Sequence, residues 1–179
     1  MNRKSSRIYF SKMQGLGNDY LYINNIEHEL ENASIVSRVV SDRHFGVGSD
    51  GIILICLPTN PQADFRMRIY NSDGSEAESC GNGLRCFGKY IFEKGLTTKT
   101  NPVVQTNCGL VYLELAIEDG IVRSIRVDMG KPILDPKLIP LALDSDLCVN
   151  IDFEIPGFKN KLTAISMGNP HAVFFVPEV

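Results

Sequence analysis

The sequence has no excess of basic residues. Its 18 lysines and arginines are outnumbered by 21 aspartates and glutamates, and the formal net charge is −3. A protein that follows a nucleic-acid backbone needs a clustered basic face, whereas these basic residues are scattered along the chain. We therefore predict that the protein has no nucleic-acid partner.

Long apolar runs and a regular cysteine framework are also missing. No stretch near the start resembles a signal peptide or a membrane span, so we predict no membrane partner. The five cysteines are odd in number and irregularly spaced, which does not fit a set of disulfides. We therefore expect a reduced, cytoplasmic setting.

The spacing of metal ligands is absent as well. There are only three histidines, and no Cys-x-x-Cys or His-x-x-x-His pair occurs, so we predict no protein-held metal. What the chain does have is an ordinary composition, with 44% hydrophobic and 22% charged residues. These values are close to the averages for soluble globular proteins, so a packed core is expected.

Several segments show strand patterns. Residues 7–13 and 20–24 predict a hairpin around the glycine-rich turn 14–19. The segment 52–57 is uniformly apolar and predicts a buried strand, whereas 64–71 alternates and predicts a strand with one dry face.

Two segments show helical spacing. Ile35, Val36, Val39 and Val40 predict a short amphipathic helix, with Asn32 or Ser34 as its N-cap. In the second helix, apolar residues recur from Leu84 through Phe87 to Ile91, and Gly95 provides the stop.

The second half of the chain is dominated by strand patterns. Strands are predicted between residues 102 and 130, and the proline-bearing stretch 130–143 reads as a linker. Another hairpin at 153–167 and a final strand follow. We therefore predict two domains, a complete one at 1–130 and an incomplete one at 131–179.

Residues 78–86 read ESCGNGLRC and place Cys80 directly before the second predicted helix. A helix N-terminus favours negative charge, and therefore the ionised, reactive form of a thiol. Gly81, Asn82 and Gly83 expose backbone N–H groups that suit a bound carboxylate. The alternative is an ordinary glycine-rich loop with a spare cysteine. The other four cysteines are interpreted as structural, since free cysteines are usually buried.

Four asparagines lie in turns beside glycines or at predicted strand ends: Asn18, Asn71, Asn82 and Asn169. Each alone fits a turn, where asparagine is common. Together they could form a polar pocket that binds amino and carboxylate groups without adding charge. His171 could modulate a neighbouring thiol or simply hydrogen-bond within its turn.

Two segments of the chain resemble each other. Residues 12–24 and 166–176 share a methionine, a Gly-Asn pair and a following apolar run. The match is either chance or a repeated supersecondary unit. If the unit is repeated, a counterpart of Cys80 falls beyond residue 179.

Four motifs together resemble the diaminopimelate epimerases, in the same order and over nearly the whole chain: FSKMQGLGNDY, DRHFGVGSDG, YNSDGSEAESCGNGLRC and SMGNPHAVFFV. Proline racemases and hydroxyproline epimerases are relatives with the same two-thiol chemistry, but they usually carry histidine after the Cys-Gly pair. Asn82 therefore favours the diaminopimelate branch. The resemblance implies an α+β fold of two pseudo-symmetric domains, each with a curved mixed β-sheet around a central helix.

The resemblance also implies an activity. The family interconverts LL- and meso-diaminopimelate on the route to lysine and peptidoglycan, with no pyridoxal phosphate or other cofactor, and the complete enzyme is a homodimer. Two cysteines on opposite faces of the substrate carbon act as base and acid. By resemblance, Cys80 is the first of them and His171 tunes their acidity. The substrate-binding residues carried over are Asn18, Asn71, Gly81, Asn82 and Asn169.

Two departures from the family pattern qualify this assignment. Gly51 stands where some members have a glutamine that contacts substrate. The family's second catalytic loop, which resembles ACGTG and follows a Glu-Arg pair, does not occur in the 179 residues. We therefore expect that this polypeptide alone does not epimerise at a useful rate, and that it exposes a sheet edge and associates.

Three alternatives remain open from the residues. One is a racemase for another amino acid, such as proline or hydroxyproline. Another is a non-catalytic remnant that keeps the fold of the first domain. A third is a cysteine hydrolase that uses Cys80 with His171.

Overall fold

The computed structural model describes residues 7–27, 29–78, 80–142 and 147–178. The chain divides into two compact units, Met1–Asp128 and Met129–Val179. No helix within the described residues is long and apolar enough to cross a membrane.

The first unit combines strands with two helices. Their bounds are β1 (Ser11–Gly15), β2 (Asn18–Asn24), α1 (Ala33–Val40), β3 (Gly51–Cys56), β4 (Phe65–Asn71), β5 (Glu76–Ala77), α2 (Gly81–Glu93), β6 (Val103–Thr106), β7 (Gly109–Glu118) and β8 (Ile121–Asp128).

The strands of this unit form one mixed sheet in the order β1-β2-β3-β4-β6-β7-β8, with β5 beside β4. The pairs β2–β3 and β4–β6 are parallel, and the remaining pairs are antiparallel. Helix α2 contacts β1 and β2 near one end of this order and β7 and β8 at the other. The sheet must therefore curve around α2, which confirms the expected α+β class with a curved mixed sheet around a helix.

The core of the first unit lies between α2 and the inner face of the sheet. Leu84, Phe87 and Ile91 are all fully buried, as their helical spacing predicts. Full burial of such a side chain contributes about 1.5–3 kcal/mol. Strand β3 is buried on both faces from Ile52 to Ile55, which explains its uninterrupted apolar sequence.

Helix α1 forms where predicted, but only part of its predicted apolar face is buried, with Val36 and Val40 half-buried. Ile35 and Val39 are 61% and 64% exposed, whereas Ser37 is fully buried. The Ser37 hydroxyl lies 3.0 Å from the carbonyl oxygen of Tyr70 and 2.8 Å from that of Asn71, both at the end of β4. A donor for these strand-end carbonyls therefore outweighs the burial of two apolar side chains at this position.

The N-terminus of α1 lies where predicted, but it lacks a side-chain cap. Asn32 occupies the N-cap position with a left-handed φ of 54°, and its side chain makes no capping hydrogen bond. The hydroxyl of Ser34, the other candidate, donates instead to the carbonyl of Gly74 at 2.6 Å. Ser34 thus bonds to the neighbouring turn instead of capping the helix.

The second unit contains an antiparallel sheet in the order β11-β10-β9. Its strands are β9 (Ile151–Ile155), β10 (Phe158–Ser166) and β11 (Pro170–Phe174). The stretch 130–143 is interpreted above as a linker, but residues 130–142 belong to this packed unit. Residue 143 lies outside the described residues. Ile133 pairs with Ser166, and Ile139 is buried with Cys148 and Ala164.

Both copies of the sequence echo form antiparallel hairpins. The first is β1–β2 and the second is β10–β11. In each, a glycine with positive φ stands directly before the asparagine, Gly17 at 92° and Gly168 at 97°. The first hairpin is shorter than predicted, since its strand begins at Ser11 rather than at residue 7.

Candidate active site

Cys80 occupies the N-cap of α2, as the sequence predicts. Its backbone is extended, and its Sγ accepts a hydrogen bond from the Gly83 N–H at 3.3 Å. A Cβ at Gly83 would lie 2.9 Å from the Ile53 Cδ1 and 3.3 Å from the Cys80 Cβ, so glycine lets the helix terminus approach β3 and Cys80 closely. The sulfur thus lies among the N–H groups of the first turn, where helix geometry favours negative charge.

Two tyrosines of β2 support this helix terminus, and the sequence analysis did not identify them. The buried Tyr22 hydroxyl donates to the Gly83 carbonyl at 3.0 Å. The Tyr20 hydroxyl interacts with the Cys80 thiol, and burial, then negative charge on Cys80 and Asp50, raise the pKa of Tyr20 to about 12. Tyr20 therefore stays protonated at neutral pH. Alternation along β2 places both rings on the helix side of the sheet, which is the signal that could have found them.

Asn18 and Asn82 are brought together although 64 positions separate them. The Asn82 Nδ2 donates to the Asn18 Oδ1 at 3.0 Å. Arg85, one turn further along α2, donates to the Asn82 Oδ1 at 2.6 Å. Two of the predicted binding asparagines thus lie beside the N-terminus that carries Cys80.

A charged cluster borders Asn18 on its other side. The Asn18 Nδ2 lies 3.4 Å from the Asp50 Oδ2, and Arg43 pairs with both Asp19 at 2.6 Å and Asp50 at 2.9 Å. Lys12 adds a second cation 3.1 Å from Asp19. The hydrogen bond from Arg43, followed by that from Lys12, lowers the pKa of the Asp19 carboxyl despite some desolvation.

Asn71 lies at the same end of the sheet but is not joined to that asparagine pair by a hydrogen bond in the described structure. Its amide donates to the Ser75 hydroxyl at 3.0 Å. Gly51 is paired with Tyr20 on one side and with Asn71 on the other. A Cβ at Gly51 would lie 2.1 Å from the Tyr70 carbonyl oxygen, so the backbone excludes a side chain here.

Asn169 and His171 belong to the second unit and lie together in its hairpin. The His171 Nε2 is 3.0 Å from the Asn169 Oδ1, and both residues are exposed. The hairpin turn and the start of β11 position them.

The remaining cysteines differ among themselves. Cys86 and Cys148 are buried, as expected for packed thiols, and Cys56 is half-buried. Cys108 is exposed, so the expectation of burial is wrong for it. Its position in the turn between β6 and β7 explains the difference. Across the described residues, no three His, Cys, Asp or Glu side chains are grouped as ligands for a metal ion.

The family model for diaminopimelate epimerase matches residues 10–134. The diaminopimelate epimerase of Acetivibrio thermocellus is 52% identical over 170 residues, which cover 95% of this chain and 60% of that protein. The diaminopimelate epimerase of Methanococcus maripaludis strain S2 is 46% identical, with 95% and 61% covered. The chain therefore spans about 60% of the length of the curated relatives it matches.

Solved structures with low sequence identity share the fold. A probable proline racemase from Agrobacterium radiobacter, with bound carbonate, has a TM-score of 0.67 at 17% identity, covering 94% of this chain and 52% of that one. A hydroxyproline epimerase from Agrobacterium vitis has a TM-score of 0.65 at 13% identity, covering 92% and 50%. The family model matches more than half of the residues, and the chain therefore belongs to the diaminopimelate epimerase family.

Proposed function

We propose that this chain carries one half of the active site of an enzyme that interconverts LL- and meso-diaminopimelate, in the supply of lysine and peptidoglycan precursors. The observation that supports the proposal is the placement of Cys80 at the N-cap of α2, with its sulfur accepting from the Gly83 N–H. Family membership supports the same reaction, because the matched relatives are named diaminopimelate epimerases.

Cys80 acts on one face of the substrate α-carbon. As a thiolate it takes the α-proton, and the electron pair left on carbon is delocalised into the adjacent carboxylate. In the reverse direction the Cys80 thiol gives its proton to the carbanion. A second thiol on the opposite face completes inversion in each direction, so one proton is removed and one is returned.

The first turn of α2 stabilises the charge that develops during this step. The N–H groups of Gly81 and Asn82 are free of intrahelical partners by geometry and bind the substrate carboxylate. Because these donors are fixed before the reaction, they cost little reorganisation as charge grows on the carboxylate. The protonated Tyr20 hydroxyl offers a further hydrogen bond to the Cys80 sulfur.

The remaining residues bind the substrate or adjust the thiols. Asn18, Asn71 and Asn169 bind its polar groups without adding charge. His171, hydrogen-bonded to Asn169, modulates the acidity of the cysteines. The complete enzyme is a homodimer.

The direct test is conversion of LL-diaminopimelate by a polypeptide of these 179 residues in D₂O, followed by chiral separation and mass spectrometry. The 179 residues contain no second catalytic loop of the ACGTG type, so we expect no more meso product than with the Cys80→Ser variant. Robust turnover that Cys80→Ser abolishes would contradict the two-thiol mechanism.

A racemase for another amino acid is separated by a ligand panel. Diaminopimelate is expected to raise the melting temperature more than proline or hydroxyproline does, because bound ligand stabilises the folded state. Stabilisation by proline alone would favour the racemase. No stabilisation by any ligand would favour a non-catalytic remnant, and a covalent acyl adduct on Cys80 would favour a hydrolase.

A further inference from the structure

Asn18 and Asn82 are ambiguous groups, since a side-chain amide can present either its oxygen or its NH₂ to a neighbour. In the structure they form a directed series. Arg85 donates to the Asn82 oxygen at 2.6 Å, Asn82 donates to the Asn18 oxygen at 3.0 Å, and Asn18 donates to the Asp50 carboxylate at 3.4 Å. In each of these hydrogen bonds the donor is on the Arg85 side and the acceptor on the Asp50 side.

The two ends of this series are not ambiguous. A guanidinium can only donate hydrogen bonds, and an ionised carboxylate can only accept them. With a donor fixed at one end and an acceptor at the other, only one orientation of the two amides satisfies all three links. Inverting either amide would bring two donors or two acceptors together.

Asp50 makes several other hydrogen bonds that fix its position, so it can serve as the fixed acceptor at the end of the series. Its Oδ2 accepts from the Asp19 backbone N–H at 3.0 Å, and its Oδ1 accepts from Arg43 at 2.9 Å. The Asp50 N–H in turn donates to the Asp19 carbonyl at 2.7 Å. Arg43 also binds the Asp19 side chain at 2.6 Å, which fixes the guanidinium.

We propose that Asp50 and Arg85 are positioning residues that fix the amide orientations of Asn18 and Asn82, so that both amides turn their remaining N–H groups toward the ligand beside Cys80. In this orientation each amide oxygen is already engaged within the protein, and each NH₂ has one hydrogen left over. The pair therefore offers two N–H donors to a carboxylate. This inference rests on the proposed function, because it assigns a task to residues of that site.

The test compares two alkylating agents at Cys80. Iodoacetate and iodoacetamide both react with the same thiolate, forming an S–C bond and releasing iodide, but only iodoacetate carries a carboxylate. The ratio of their rate constants therefore cancels the fraction of thiolate and reports anion recognition beside the sulfur. Rates at Cys80 are followed by peptide mass spectrometry, and N-acetylcysteine amide serves as the reference thiol.

Arg85 supplies a matched pair of variants. Arg85→Gln and Arg85→Met both remove the charge at an exposed position, but only glutamine can still donate to Asn82 one turn away. The glutamine amide is oriented for this donation because Asp50 remains as the acceptor at the other end of the series. We expect the iodoacetate/iodoacetamide ratio to be about threefold lower in Arg85→Met than in Arg85→Gln, the effect of losing one oriented hydrogen bond. Equal ratios in the two variants would overturn the proposal.

Asp50→Asn tests the acceptor end of the series. It removes a negative charge, whereas the Arg85 variants remove a positive one. Removal of a negative charge alone would raise the relative rate of iodoacetate, whereas loss of the acceptor-only end lowers it. We expect a fall of about threefold, and a rise would overturn the proposal. Glu76→Gln is the control, because it removes an ion-paired carboxylate that contacts Arg68 rather than either amide, and its ratio should equal that of the wild type.

The fold of each variant is checked by circular dichroism. If Asp50→Asn does not fold, the two variants at the exposed Arg85 test the proposal alone. The iodoacetate/iodoacetamide ratio of the wild type tells whether this inference or the proposed function fails. A wild-type ratio no higher than that of the reference thiol would contradict the proposed carboxylate site beside Cys80, and the positioning inference with it. A raised wild-type ratio, with equal values in the Arg85 pair, would overturn only the positioning role.

Discussion

Gly51→Ala is expected to be strongly destabilising, although it adds only a methyl group. The new Cβ would lie 2.1 Å from the Tyr70 carbonyl oxygen and 3.0 Å from the Asn71 Cα. Both contacts are to the backbone of β4, and β3 lies between β2 and β4 in the sheet. The Tyr70 carbonyl must therefore retreat by about 1 Å before the methyl group fits.

The cost has two parts. Forcing a methyl group into a packed interior costs about 1–3 kcal/mol. Displacing the Tyr70 carbonyl also weakens its buried hydrogen bond with the Ser37 hydroxyl, at about 1 kcal/mol. We therefore expect Gly51→Ala to lower the free energy of unfolding by about 2–4 kcal/mol.

Gly120→Ala is the matched control. Gly120 also has a positive φ, of 75°, but a Cβ there would meet no atom within 4 Å. Its substitution costs only the backbone strain, about 1 kcal/mol. Denaturation by guanidinium, followed by far-UV circular dichroism, compares the two variants. A loss in Gly51→Ala no larger than that in Gly120→Ala would refute the steric argument. The same contact leaves no room for a glutamine side chain at this position on the backbone of this chain.

Three further predictions concern the first unit and the thiols. Tyr22→Phe removes the buried donor to a carbonyl in the first turn of α2, and should cost about 1–3 kcal/mol by thermal or chemical unfolding. Arg43 lowers the pKa of Asp19, so the ionised Asp19 carboxylate stabilises the folded state at pH values above the pKa of the unfolded carboxyl, near 4. This stabilisation is lost as the pH falls through the lowered pKa that the carboxyl has in the folded state. Between pH 5 and pH 3, the melting temperature should fall less in Asp19→Asn than in the wild type. A disulfide exchange reagent should label exposed Cys108 in the native chain well before buried Cys148, and equal labelling rates would contradict their placement.

The sequence predicts the parts of the fold that depend on local periodicity. Leu84, Phe87 and Ile91 recur with the helical period, so the burial of this stripe follows from spacing alone. The alternation of β4 likewise predicts that Phe65 and Met67 are buried. The two glycines that follow Cys80, and the apolar stripe that begins directly afterwards, predict its position at the N-terminus of α2.

Features that depend on distant partners were not predictable. The buried face of α1 is decided by Ser37, whose hydroxyl meets carbonyls 33 and 34 positions away. The link from Asp50 through Asn18 to Asn82 joins three separate segments, and no spacing rule connects them. Asp50 directly precedes Gly51 in the sequence, but its proximity to Asn18 depends on the parallel pairing of β2 and β3.

The most direct test of the account measures the alkylation of Cys80 with and without diaminopimelate, resolved by peptide mass spectrometry, with exposed Cys108 followed in the same digest. Bound ligand should cover the sulfur and the first turn of α2, so the account predicts that diaminopimelate slows alkylation of Cys80 and leaves the rate at Cys108 unchanged. Equal rates at Cys80 in the presence and absence of saturating diaminopimelate would contradict the assignment of this helix terminus as half of an epimerase site.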